Sequence, residues 1–299
     1  MSLKVVALLV LYFPDRDIVR RVENTLAQCD FLIVYDNTTY ENGSGFDYPY
    51  EEDQRILYVS ENKNMGIGEA LSFARRYSIV NDFDFLLTLD QDTDLPQNYV
   101  NNMLSLSYLK SEHAIFGPRF YDRNNNRYAK FPIKHGQLPI RKELKSEGEP
   151  EEAFCIITSG AFHRVSSLQE LGDFRSDFFI DYVDNEYCLR AWLKGYKVLV
   201  CPDVCIEHSL GNRTVTRGAL KFSPTNYSPI RKYYITRNRL VVYRQYFFKF
   251  PVMIAYDFSA LILDLFRVFL FEKEKKKKLK AYLNGISDFF KGRLGPFQG

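Results

Sequence analysis

The sequence predicts an α/β fold: a layered sheet, largely parallel at its start, flanked by helices and followed by a C-terminal helical appendage. Three observations point to it. Short β-rich apolar runs recur through the first two thirds of the chain, helical patterns separate several of them, and polar residues collect where the runs end.

The run "KVVALLVLYF" opens the chain. It lacks a basic leader and a small-residue cleavage site and is followed by "PDRD", so it reads as a first strand and not as a signal peptide. "FLIVYD", "RILYVS", "FDFLLTLD", "AIFGP", "FCIITSG" and "YKVLVCP" read as further strands, with helical patterns around 16 to 28, 66 to 79, 97 to 110 and 185 to 194. Strands that alternate with helices favour parallel neighbours. In such sheets ligands bind beyond the carboxyl ends of the strands, and "YFP", "YDNTT", "SENKN" and "DQDTD" all fall there. Residues 121 to 152 are polar and aperiodic and read as a long loop over the sheet. From about Ser228 the pattern becomes two or three helices rich in aromatics and lysines, which divides the chain into residues 1–227 and a helical region 228–299.

Composition excludes some classes. Of 299 residues 46% are apolar and 26% charged, which is globular composition and not that of a disordered chain. A net charge of +3, from 40 basic and 37 acidic side chains, gives no field that would favour nucleic acid. The five cysteines, Cys29, Cys155, Cys188, Cys201 and Cys205, show no paired zinc spacing and read as reduced packing thiols of a cytoplasmic protein.

The stretch "FLLTLDQDTDL" sets Asp90, Asp92 and Asp94 two apart at the end of an apolar strand. If the strand continues, all three side chains point the same way, and like charges that close call for a cation. Hard oxygen donors suit Mg²⁺ or Mn²⁺. The plainer reading is a solvated turn. A calcium loop fails, because its sixth and twelfth positions would be Leu95 and Asn101 in place of Gly and Glu. No GxxxxGK[ST] phosphate loop occurs, and the glycines of "GIGEAL" suit close helix packing better than a dinucleotide fingerprint.

The order of motifs resembles family 2 glycosyltransferases of the GT-A type over roughly residues 4 to 245, and more closely their bacterial rhamnosyltransferase branch. The likeness runs through "LYFP", "VYDNTT", "ENKNMGIGEAL", "LTLDQDT", "TSGAFHR", "FFIDYVDNEYCLRAWLKGYKV", "IEHSLG" and "RKYYITRN". Phe13, where Asn is usual, and Tyr187, where Trp is frequent, depart from it. The resemblance implies the GT-A nucleotide-diphospho-sugar transferase fold, a Rossmann-like mixed sheet flanked by helices, and an inverting, metal-dependent sugar transfer from dTDP-rhamnose to a lipid-linked saccharide.

It also implies roles. Tyr12 lies against the nucleobase, Asp36 accepts from its ring N–H, and Asn64 sits before a helix start whose N–H groups suit phosphate or ribose, or else caps that helix. Asp90 and Asp92, with His208 opposite them, hold Mg²⁺ or Mn²⁺. Arg237 of the "RN" pair meets donor or acceptor phosphate, with Arg231 and Arg239 on a solvated helix face as the plainer alternative. Asp184 aligns with the catalytic base, Glu186 with the acid two further on, while Asp181 either is the base or caps the helix that follows.

The apolar stretch "FKFPVMIAYDFSALILDLFRVFLF" is interrupted by Asp257, Asp264 and Arg267 and is followed by "EKEKKKK", which favours an interfacial helix on the inner face of the cell membrane over a spanning one. A buried helix with a solvated lysine run is the alternative. Within the same fold, a UDP donor of galactofuranose, glucose or N-acetylhexosamine is the competing reading. A nucleotidyltransferase lacks its glycine-rich basic loop here, and a non-catalytic membrane-bound module predicts no turnover.

Overall fold

The computed structural model describes residues 3–41, 52–105, 112–122, 126–208 and 226–298. The first half alternates as read: β1 (Val5–Leu11), α1 (Ile18–Leu26), β2 (Phe31–Asp36), β3 (Ile56–Ser60), α2 (Ile67–Val80), β4 (Phe85–Asp90) and α3 (Tyr99–Leu104). There follow β5 (His113–Asp122), β6 (Arg127–Tyr128), β7 (Lys130–His135), β8 (Leu138–Glu143), β9 (Glu151–Glu152), β10 (Ala161–Arg164), α4 (Val165–Leu171), a 3₁₀ turn (Ser176–Phe178), α5 (Val183–Leu193) and β11 (Lys197–His208). Three helices close the chain: α6 (Pro229–Tyr246), α7 (Pro251–Phe271) and α8 (Lys275–Phe290).

The main sheet runs β3-β2-β1-β4-β10-β5-β11-β9, with β6 paired to β5. β3, β2, β1 and β4 are mutually parallel. β10 enters antiparallel between β4 and β5, and β11 returns parallel to β5. Central strands covered on both faces read as unbroken apolar runs, which is why β1 needs no alternation and nearly every residue of "VVALLVL" is buried. Register then aligns the strand exits: Leu11 lies opposite Asp36, Val10 opposite Asp90, and Asp36 opposite Ser60.

Three expectations need correction. Residues 121 to 152 are not one loop, because β7 and β8 pair as an antiparallel hairpin against which α7 packs. That hairpin buries Phe131 and Ile133 on one side, a periodicity too short to read amid so much charge. "FCIITSG" is not a strand; the strand begins at Ala161, after Thr158 and Gly160 have turned the chain onto Thr88 of β4. β11 does not stop at Pro202 but continues past a register shift between Cys201 and Cys205 to His208, which pairs with Asp122.

Candidate functional site at the strand exits

At the β1 exit, Tyr12 is 51% exposed, and its N–H is held by the Gln91 side chain at 2.7 Å. Gln91 thus ties the first strand's exit to the acidic stretch. Asp36 also sits on this edge, but its carboxylate is closed to solvent: Thr38 N–H and the hydroxyls of Tyr40 and Tyr58 each donate to it at 2.8 Å. A carboxylate offers about four acceptor positions, so three are already filled. Burial and the bond to Asp36 push the Tyr40 phenol up to about 12, which keeps it a donor.

β4 ends at Asp90, and the next residues turn, so the three aspartates do not share a direction. Asp92 is exposed on the turn. Asp94 turns away to Arg20 at 2.7 Å and Arg21 at 3.3 Å. Burial alone would raise its pKa, but the two arginines outweigh it and hold Asp94 below the ordinary carboxylate range. The acidic stretch therefore separates into Asp90 with Asp92 and a structural Asp94.

Asn64 is neither helix cap nor the neighbour of free amides. Its side chain accepts from Gly66 N–H at 2.9 Å, Asn37 takes Met65 N–H at 2.9 Å, and the Phe179 carbonyl takes Ile67 N–H at 2.8 Å. Gly66 itself occupies the cap position, with φ at +84°. The N–H groups of Met65, Gly66 and Ile67 are thus taken up within the protein. The glycines serve close packing: a Cβ on Gly66 would lie 2.4 Å from the Phe179 carbonyl, and one on Gly68 2.4 Å from that of Arg175.

The segment from Phe178 to Asp184 supplies the second acidic group. Asp184 stands in the first turn of α5, half-buried, and its carboxyl is raised to about 6 by burial and by the negative charges of Asp181 and Asp90, against a lowering bond from Asn185 N–H. Asp181 does not cap the helix: Tyr182 takes that position without a side-chain cap bond, and Asp181 pairs two-pronged with Arg231 at 3.0 to 3.2 Å. Burial still raises Asp181, with Arg231 opposing it. Glu186, the other acid of the motif, is fully buried and held by Arg190 and by the Tyr246 hydroxyl at 2.7 Å. Its role is to lock α5 to α6.

Arg237 must be withdrawn as a phosphate ligand. It is fully buried and donates to the carbonyls of Gly295 at 2.7 Å and Phe178 at 3.1 Å, and to the Tyr233 hydroxyl at 3.2 Å. Arg239 is also inside, paired with Asp257 at 3.0 Å and bonded to Tyr182. Arg231, for which a solvated helix face is the plainer alternative in the sequence, lies nearest these acids: it stacks over Tyr227 at 4.3 Å, and although burial lowers its pKa, Asp181 foremost and Asp90 more weakly outweigh that and raise it. The pattern could not separate the three arginines because α6 is polar or aromatic all round and buries charged residues on its protein-facing side.

Asp184 thus lies where it feels the charges of Asp181 and Asp90, Arg231 pairs with Asp181, and Asp92 stands exposed on the turn after β4; carboxylates are hard oxygen donors of the kind that suit a divalent cation. No cluster of three or more His, Cys, Asp or Glu stands ready as a metal cage among the described residues. His208 ends β11 on the same side of the sheet's register as Asp122, and its side chain lies outside the described residues. A polar cavity of about 330 Å³, lined by Asn284, Ser287, Asp288, Lys291 and Arg293 among others, belongs to α8 and the C-terminal tail and shares no residue with these groups.

A mixed sheet with acidic residues at the exits of parallel strands and an acidic helix start beside them is the GT-A architecture shared with solved glycosyltransferases. The chain belongs to the glycosyl transferase family group 2, whose family model matches residues 85–263. It is 26% identical over 306 residues to the dTDP-rhamnosyl transferase RfbF of Shigella flexneri, covering 99% of this chain and 98% of that protein. Among solved structures, GalNAc-T7 with UDP, GalNAc and Mn²⁺ superposes with a TM-score of 0.60 at 13% identity, covering 97% of this chain and 58% of GalNAc-T7. The Pyrobaculum calidifontis mannosyltransferase PcManGT, in complex with GDP-Man and Mn²⁺, gives 0.57 at 14% identity, over 96% of this chain and 87% of that one. S. aureus TarS 1-349 with UDP-GlcNAc gives 0.56 at 15%, over 97% and 82%.

Proposed function

We propose that this glycosyltransferase moves L-rhamnose from dTDP-rhamnose, with inversion, onto a lipid-linked saccharide at the inner face of the cell membrane. The observation that carries the chemistry is Asp184, a half-buried carboxyl raised to about 6 and placed where it feels Asp90. A general base works best with a pKa near the operating pH, and the Asp184 carboxylate takes the proton of the acceptor hydroxyl as that oxygen attacks the anomeric carbon. Tyr12 presents an exposed ring to the base of the donor, and Asp36 receives it once Tyr40 yields. Asp90 and Asp92, with His208, would hold Mg²⁺ or Mn²⁺, which when bound supplies positive charge to the leaving diphosphate. Arg231 adds a second cation on that side.

The donor rests on the near full-length likeness to a dTDP-rhamnosyl transferase. The UDP complexes of GalNAc-T7 and TarS favour the second reading, a UDP-sugar donor on the same fold. Transfer or slow hydrolysis across dTDP-rhamnose, UDP-sugars and GDP-mannose, each with Mn²⁺ or EDTA, decides both questions. Preference for a UDP-sugar overturns the donor, and full activity in EDTA overturns the metal.

The membrane reading rests on α7 and α8. No helix among the described residues is long and apolar enough to cross a membrane. Instead α7 turns Asp257 and Asp264 inward, to Tyr182, Tyr243 and Arg239 and to Lys232 and Tyr282. Its outer side exposes Phe258, Ile262, Leu263, Phe266, Phe269 and Leu270. Beside it runs the start of α8, whose exposed Lys275, Lys276 and Lys277 anionic lipid attracts at about 1 kcal/mol per residue, while Lys278 is buried against Glu272.

A further inference from the structure

The loop that delivers the acidic pair is held in a conformation it would not keep alone. Phe179, Asp181 and Tyr182 have φ of 66°, 62° and 66°. Non-glycine residues there are strained by on the order of 1 kcal/mol each, more for a bulky side chain, and persist only where the surroundings over-determine them. Two parts of the fold do so. From α2, the Ile67 N–H bonds the Phe179 carbonyl, with Gly66 packed bare against it. From α6, the fully buried Asn238 amide donates to the carbonyls of Phe178 at 2.9 Å, Ile180 at 2.9 Å and Asp181 at 3.0 Å.

The neighbouring Arg237 decides which way that amide faces. Its Nε donates to Asn238 Oδ1 at 3.0 Å, so the nitrogen of Asn238 must point to the loop. Its remaining nitrogens reach the carbonyls of Phe178 and Gly295, and the Gly295 N–H returns to the Asp177 carbonyl at 2.6 Å. Apart from the bond between the two side chains and one from Arg237 to the Tyr233 hydroxyl, the donors of the "RN" pair are directed at the segment between Asp177 and Asp181 or at the tail that covers it.

We propose that Asn238, oriented by Arg237, is a positioning residue for catalysis: it holds the Phe178–Tyr182 loop so that Asp184 reaches the acceptor, which makes α6 part of the catalytic machinery and not a passive appendage. The inference deepens the proposed transfer reaction and rests on it for the role of Asp184. A misplacement of about 1 Å at a reacting group costs about 100-fold in rate. A residue that acted only on stability would lower the unfolding midpoint and leave the turnover of each folded molecule intact.

The test compares Asn238→Ala and Asn238→Asp with the full-length wild type. Asn238→Asp keeps the shape and the Arg237 contact but lacks the amide protons, so it carries the test if the alanine variant fails to fold. Expected are a fall in kcat of at least about tenfold in both variants, an unchanged Kd for dTDP with Mn²⁺, and faster hydrogen exchange confined to residues 177 to 184. Wild-type kcat in folded Asn238→Asp overturns the proposal. Should the wild type turn over no dTDP-rhamnose, the donor reading fails instead, and hydrogen exchange still decides: unchanged protection of the loop in both variants overturns the clamp.

Discussion

The strand-exit edge and the C-terminal helices treat charge in opposite ways. At the exit of β4 the apolar side chains are inside and Asp92 faces outward, while Asp36 at the exit of β2 is closed in by tyrosine hydroxyls. In α6 to α8 the charged residues Lys232, Arg237, Glu272 and Lys278 are buried while phenylalanines and leucines cover the outside. A strand that ends at solvent can place an acid there with little desolvation penalty. A helix that buries charge must satisfy it with an opposite charge or with hydrogen bonds, as Lys232 is paired between Asp264 at 2.8 Å and Glu272 at 3.9 Å and Arg237 is held by carbonyls. The difference teaches that buried charge in the second region is architectural, whereas charge in the first, as at Asp92, stands at the surface outside the packing.

The sharpest way to break that contrast is Lys232→Met, which removes a fully buried cation from between two acids and should destabilise the protein by about 3–5 kcal/mol in urea unfolding. A loss under 1 kcal/mol would mean that the helical charges behave like surface pairs. Next comes Asp184→Asn, which keeps the shape of the side chain and should reduce transfer about 100-fold or more with nucleotide binding retained. Asp181→Asn should act mainly on stability, because its partner Arg231 is left half-buried beside it.

The same Asp184→Asn variant should be more stable than the wild type at neutral pH. With a folded value raised from 3.8 to about 6, wild-type stability is complete below the unfolded value and declines as pH rises through the folded one. The gain from substitution is therefore absent near pH 3.8 and grows to roughly 2–3 kcal/mol above pH 6. Equal stability of the two proteins at about pH 7.5 would show that Asp184 is no more desolvated than an ordinary carboxylate.

Replacing Phe266 and Phe269 on the open side of α7 by serine should weaken binding to anionic vesicles by about tenfold or more without loss of fold. Unchanged binding would assign that face to another protein surface. The smallest effect belongs to Asp94→Asn. Its partner Arg20 is 58% exposed and its second partner, Arg21, keeps Asp15 at 2.9 Å, so the change should cost under about 1 kcal/mol. Nucleotide and metal binding should persist in that variant and be lost in Asp92→Ala, as read by thermal shift with dTDP and Mn²⁺.

The alternation of β1 through β4 with α1 and α2, the edge on which Tyr12, Asp36 and Asp90 lie, and the helix start at Ser228 were all determined by the sequence itself, because each rests on local periodicity or on a capping residue. Ser228 accepts from the Arg231 N–H in the role its residue type predicts. Only the tertiary structure decided which acids converge. Asp94 left the cluster because Arg20 and Arg21 on α1 reach it from 74 and 73 positions away. Arg237 became a clamp, and Arg231 the arginine at the site, because α6 packs across the loop that precedes α5. A side chain's partners on distant elements set its burial, direction and charge state, and no spacing along the chain encodes them.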